Sequence, residues 1–261
     1  MFVMDCLSVN EKGHLTIGGC DTIQLAKEYG TPLYVMDETT IRNACRAYKR
    51  SFEKHYAGKG LPFYASKALN CKAICRIIME EGLGLDVVSG GELYTALQAG
   101  FPANKIHMHG NNKTPAELRM ALDAGVGRIV LDNLFEMETL NQMAGNLGKK
   151  VAVSMRVKPG IDAHTHEFIR TGQIDSKFGF ALETGEALQA VKQVLAAENL
   201  TLKELHCHIG SQIFEIEPFV QAAKVMMDFM AEIRKETGLA IESLNLGGGF
   251  GIHYLTSDQP Q

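Results

Sequence analysis

The stretch "FYASKALNCK", Phe63 to Lys72, decides the fold. Four residues suited to a strand, Phe63 to Ser66, run directly into Lys67, and the pattern beyond it is helical. The same change of pattern recurs along the chain. Apolar runs at 32–37, 61–66, 83–89, 105–110, 128–132, 150–158, 202–210 and 242–249 read as strands. Helical spacing near 39–56, 71–81, 90–99, 114–124, 134–146, 183–199 and 215–236 separates them. In "TPAELRMALDAG", Thr114 is placed to cap, Pro115 to open, Glu117 to complete a capping box and Gly125 to end the helix. Alternating βα units imply a parallel sheet. Seven or eight short, regular units favour an α/β fold of the (β/α)8, TIM-like barrel type over a doubly wound sheet. Residues 159–179 break the rhythm after a strand, where a long loop is usually functional.

Composition bounds the function. The 261 residues are 46% hydrophobic and 21% charged, enough for one large core. The net charge of −4, without a basic run, argues against nucleic acid or membrane surfaces as partners. No apolar stretch approaches the ~20 residues that span a bilayer. The first ten residues do not resemble a signal peptide, so the expected location is cytoplasmic and the six cysteines are expected to be free thiols.

In a parallel barrel the carboxyl ends of the strands open on one face. Those ends carry Lys67, Asp86 with Ser89, His109, Asp132, Arg156, His206 with His208, and a glycine run from Gly247. "LNLGGGFG" reads either as a phosphate cradle or as a tight turn. On an extended strand His206 and His208 share a face; two such histidines suit zinc, or one core histidine and one that stacks on a ring. No further set completes a metal site, so no metal is expected. Lys67, if partly desolvated at the barrel mouth, becomes an amine nucleophile toward a carbonyl. Amine, phosphate cradle and stacking ring together suggest pyridoxal 5'-phosphate.

"FYASKAL", "GLDVVSGGELYTALQAGFP", "THEFIRTGQIDSKFG", "LHCHIGSQI" and "LNLGGGFGI" jointly resemble the diaminopimelate decarboxylase family, within the alanine-racemase-like (fold type III) pyridoxal-phosphate enzymes. The resemblance implies decarboxylation of meso-2,6-diaminopimelate to L-lysine in lysine biosynthesis. By the same resemblance Lys67 is the lysine that joins the cofactor, His208 stacks on its ring, and Asp86 lies close to the lysine. Ser211, Gly247, Gly248 and Gly249 resemble the phosphate-binding set, and Arg156 the arginine near the phenolic oxygen. His109 and Asn111 line the same rim. A homodimer acting on a small amino acid is implied. So is a division into an N-terminal segment, 1–36, that joins a β-rich second domain, and a barrel over 37–261 with seven of its eight strands. The family's Glu-Pro-Gly-Arg motif, whose Glu pairs with the pyridine nitrogen, has no counterpart here, so this stretch alone is expected to be inactive. Alternatives are a non-catalytic pyridoxal-phosphate barrel, another basic amino acid decarboxylase, and a zinc hydrolase using His206, His208 and His109.

Overall fold

The computed structural model describes residues 4–161 and 177–254. Three short strands, β1 (Leu7–Val9), β2 (Leu15–Ile17) and β3 (Cys20–Asp21), form an antiparallel sheet capped by helix α1 (Thr22–Tyr29). Residue spacing does not reveal them, because strands of two or three residues are too short to display a period. The strand expected at 32–37 is irregular instead. Tyr34 in its middle is 98% exposed, and a strand with no neighbour to share its hydrogen bonds is not stable.

Helix α2 (Glu38–Tyr56) starts at the capping carboxylate of Asp37 and leads to β4 (Phe63–Ala65). Four helix–strand units follow: α3 (Lys72–Glu80), β5 (Gly84–Val87), α4 (Gly90–Gln98), β6 (Ile106–Met108), α5 (Pro115–Ala124), β7 (Arg128–Leu131), α6 (Leu134–Asn146) and β8 (Val151–Lys158). After β9 (Phe180–Ala181) come α7 (Glu186–Ala196), β10 (Leu200–His206), α8 (Glu217–Thr237) and β11 (Ser243–Asn245). The capping box of Thr114 and Glu117 is formed, with Gly125 left-handed (φ 69°) at the end of α5.

Seven strands pair in parallel in the order β4-β5-β6-β7-β8-β10-β11, and the short β9 pairs with β8. Alternation along them separates two faces. Leu85, Val87, Ile106, Met108, Ile129, Leu131, Val153, Met155 and Leu205 are fully buried and belong to one core with Leu93, Leu140, Val191 and Phe229 of the helices. Each such side chain contributes about 1.5–3 kcal/mol on burial. Most of the intervening positions are polar, Asp86, His107, Ser154, Arg156, Glu204 and His206 among them, while Val130 is apolar. His109 and His206 touch edge to face with centroids 4.8 Å apart, although β6 and β10 are separated in the sheet by β7 and β8. Side chains so far apart in strand order meet only if the sheet curls, which makes it an incomplete TIM-like barrel with a polar lumen. β4 and β11 have no further strand partner among the described residues. On their side of the barrel Tyr48 of α2 approaches Phe250, with ring centroids 6.3 Å apart.

Candidate active site

Parallel pairing brings the predicted rim residues together. Ala65 is opposite Asp86, Asp86 opposite His107, and His206 opposite both Arg156 and Asn245. Lys67 lies in a single 3-10 turn, Ser66–Ala68, immediately after β4. It is exposed, so burial does not provide the partial desolvation expected of it; the preceding Ser66 is the buried member of the pair. The position of Ser66 is fixed by Glu92, whose Oε2 accepts from Ser66 Oγ and from Val88 N, both at 2.8 Å. Ser89 caps α4 by accepting from Glu92 N at 3.2 Å. One carboxylate therefore ties the lysine's neighbour to the end of β5, two residues beyond Asp86.

His109 lies just past β6 and donates its backbone N–H to Val87 O at 2.8 Å. Its Nε2 is 3.3 Å from Asp86 Oδ1, close enough for an ion pair, but the atoms are misaligned and both lack a hydrogen-bond partner. Deeper in the lumen His107 packs on the Phe63 ring (centroids 4.1 Å apart) and reaches within 3.7 Å of Glu204 Oε1. Ser243 Oγ donates to Glu204 Oε2 at 3.0 Å. Burial lowers the pKa of His107 to about 4, lowers that of His206 well below the usual imidazole range, and raises that of Glu204.

Arg156 is mostly buried; its Nη1 lies 3.8 Å from Asp132 Oδ1 and its guanidinium 4.3 Å above the Phe178 ring. Of the stretch "THEFIRTGQIDSKFG", only Lys177 to Gly179 fall within the described residues.

β10 stops at His206, so His208 does not share a strand face with it, contrary to expectation. The ladder ends where Cys207 N donates to Asn245 O at 2.9 Å, because β11 reaches no further. His208 instead packs on the glycine turn and hydrogen-bonds the backbone of Gly248. Burial, with Arg156 and Lys67 nearby, lowers its pKa to about 4. A Cβ on Gly247 (φ 73°) would lie 2.9 Å from His208 Nδ1, and one on Gly249 (φ 101°) would run into Gly210 O. Only glycine fits this left-handed, close-packed turn. "HIGSQI" and "GGGFGI" are laced together: Ile213 N donates to Gly249 O at 2.9 Å, Gly251 N to Ile213 O at 2.8 Å, and Ile252 N to Gln212 Oε1 at 2.9 Å. Ser211 is exposed in this loop pair.

The arrangement fits an anionic cofactor with a flat ring. A Cβ on Gly248 would meet nothing within 4 Å, so open space faces the turn. Gly247 N is already committed to Asn245 Oδ1 at 2.8 Å, which leaves the later part of the turn for a phosphate. Asp86 Oδ1, His109 Nε2 and His206 Nδ1 are buried polar atoms awaiting partners near the same mouth. For metal, the described residues whose ligand atoms cluster are Asp86, His107 and His109, within 4.8 Å of one another; this is not the trio weighed from sequence.

The sequence reading missed Glu92, His107, Lys113 and Glu204. Glu92 had a signal, the Ser-x-x-Glu spacing from Ser89. His107 and Glu204 also had one, since each lies two residues before a histidine already singled out and so on the same strand face.

Residues 38–261 match the family model described as "Pyridoxal-dependent decarboxylase, pyridoxal binding domain". The chain is 49% identical over 261 residues to a diaminopimelate decarboxylase of Bacillus subtilis (strain 168), covering 100% of this chain and 59% of that relative. Among solved structures, diaminopimelate decarboxylase from M. jannaschii in co-complex with L-lysine superposes with a TM-score of 0.90 at 39% identity, covering 99% of this chain and 60% of that one. The lysine/ornithine decarboxylase of Vibrio vulnificus, complexed with putrescine, gives 0.72 at 25% identity, covering 97% and 61%. The chain thus spans about three fifths of the relatives it matches. With a curled parallel sheet, a lysine at the end of its first strand and a glycine turn at the end of its last, the chain belongs to the pyridoxal-dependent decarboxylase family, as its pyridoxal 5'-phosphate-binding domain.

Proposed function

We propose that the protein removes carbon dioxide from meso-2,6-diaminopimelate to give L-lysine. The observation that carries this reading is the identity with the Bacillus subtilis diaminopimelate decarboxylase, which extends along the whole chain. When bound, pyridoxal phosphate supplies a conjugated ring that takes up the electron pair left by the departing carboxylate. The remaining tasks fall to the chain. Lys67, exposed at the mouth, presents the amine that holds the cofactor carbonyl. His208, neutral at pH 7 because of its burial, offers an uncharged ring face for stacking. Ser211, Gly248 and Gly249, with Gly247 shaping the turn, receive the phosphate. Arg156, steadied by Asp132 and Phe178, supplies positive charge for the phenolic oxygen. Asp86 Oδ1 and His109 Nε2, 3.3 Å apart and each without a hydrogen-bond partner, line the same mouth as polar groups for the cofactor.

The protein acts as a cytoplasmic homodimer. Residues 1–36 belong with a β-rich second domain and 37–261 with the barrel, a division supported by the separate antiparallel sheet at the N-terminus. A second reading, decarboxylation of lysine or ornithine, draws on the Vibrio vulnificus likeness. Carbon dioxide release by the full-length protein from meso-diaminopimelate, L-lysine and L-ornithine, with added cofactor, decides between them. Turnover confined to diaminopimelate is expected; equal turnover of ornithine would overturn the assignment.

A further inference from the structure

Lys113, the last residue of "MHGNNK", is a lysine with its side chain only 1% exposed. Its ammonium makes three contacts: Nζ donates to Gly110 O at 2.6 Å and Val130 O at 2.8 Å, and lies 2.9 Å from Glu136 Oε1. Glu136, in the first turn of α6, has a side chain 4% exposed. These partners come from three elements: the loop after β6, strand β7, and the helix that follows β7. A buried charge needs such complete pairing to be tolerated, and an apolar pair of similar volume would stabilise the fold at least as well. Stability alone therefore does not account for the lysine. Its location is more informative. Gly110 follows His109 directly and holds a left-handed φ of 121°, with a hypothetical Cβ 3.4 Å from Val88 O and 3.5 Å from Lys113 Cγ. Val130 is two residues before Asp132, the partner of Arg156.

We propose that Lys113 is a positioning residue, whose buried ammonium fastens the loop carrying His109 to the end of β7, next to Asp132. The inference rests on the reading above in which His109 and Arg156 face the cofactor. Lys113 itself is buried among these three partners. Its two carbonyl contacts set where the His109 loop sits, and Glu136 neutralises it there.

The test compares two variants of the purified protein by pyridoxal-phosphate titration, followed by visible absorbance, and by thermal unfolding. Lys113→Met with Glu136→Met removes both charges and keeps an apolar filling, but leaves Gly110 O and Val130 O without their donor. It is expected to melt within a few degrees of the parent and to bind cofactor at least tenfold more weakly. Glu136→Gln keeps an acceptor for Lys113 and leaves both carbonyl contacts in place, so its cofactor affinity is expected to stay within about threefold of the parent, whatever its melting temperature. Parental affinity in the double variant overturns the proposal. If the double variant does not fold, Glu136→Gln decides alone: retained affinity supports the tether, and a tenfold loss overturns it. A parent that binds no cofactor is a different failure, that of the site reading itself.

Discussion

Ser66, in the turn after β4, and Glu92, in the first turn of α4, are joined by a 2.8 Å hydrogen bond. Since Lys67 follows Ser66, this bond sets where the lysine leaves the barrel wall. Glu92→Gln keeps the shape but loses the charge that strengthens the bonds from Ser66 Oγ and Val88 N. A loss of about 1–2 kcal/mol in urea unfolding is expected, together with weaker cofactor binding. Unchanged cofactor affinity would show that Lys67 does not depend on this anchor.

Lys67→Ala is expected to leave unfolding nearly unchanged, because the lysine is exposed. Borohydride reduction in the presence of cofactor should label the parent and leave the variant unlabelled. Equal labelling of both would remove Lys67 from its role.

His208 and His206 should separate by readout. His208 sits on the glycine turn, whereas His206 is buried against His109 and only 4% exposed. His208→Ala is expected to weaken cofactor binding by on the order of 1 kcal/mol or more through lost stacking. His206→Ala should cost more in thermal stability and less in cofactor affinity. The reverse order in titrations would mean the two histidines have been interchanged.

His107 predicts a pH dependence. Its pKa in the fold is lowered to about 4, against an ordinary 6.5. Between these values the unfolded chain takes up a proton that the folded chain refuses, so stability falls as pH drops from 6.5 to about 4 and levels off below. The effect is on the order of a few kcal/mol. His107→Gln should remove that part of the curve, so the difference between parent and variant urea midpoints narrows as the pH falls through this window. A difference independent of pH would contradict the burial argument.

Most of the barrel was legible because its periods are long enough to see. Seven parallel strands and seven helices fall where spacing, caps and glycines put them, and the rim residues follow from strand ends. Legibility failed where structure depends on distant partners. "PLYVMD" has the composition of a strand but no neighbour to pair with. His208 left the strand because β11 ended first. Lys113 and Glu136 look like ordinary surface charges until the fold closes over them; their 23-residue separation hides the contact.

The outer edges of β4 and β11, unpaired among the described residues, constrain any strand that would join the sheet there. Each edge presents backbone donors and acceptors at fixed spacing. A guest strand entering parallel to β11 must alternate, with apolar side chains toward the helices and polar ones toward the lumen beside Phe63 and Ser243. Short synthetic peptides of that alternating pattern are expected to slow amide exchange at Ser243–Asn245, and a peptide of the same composition without the alternation is not.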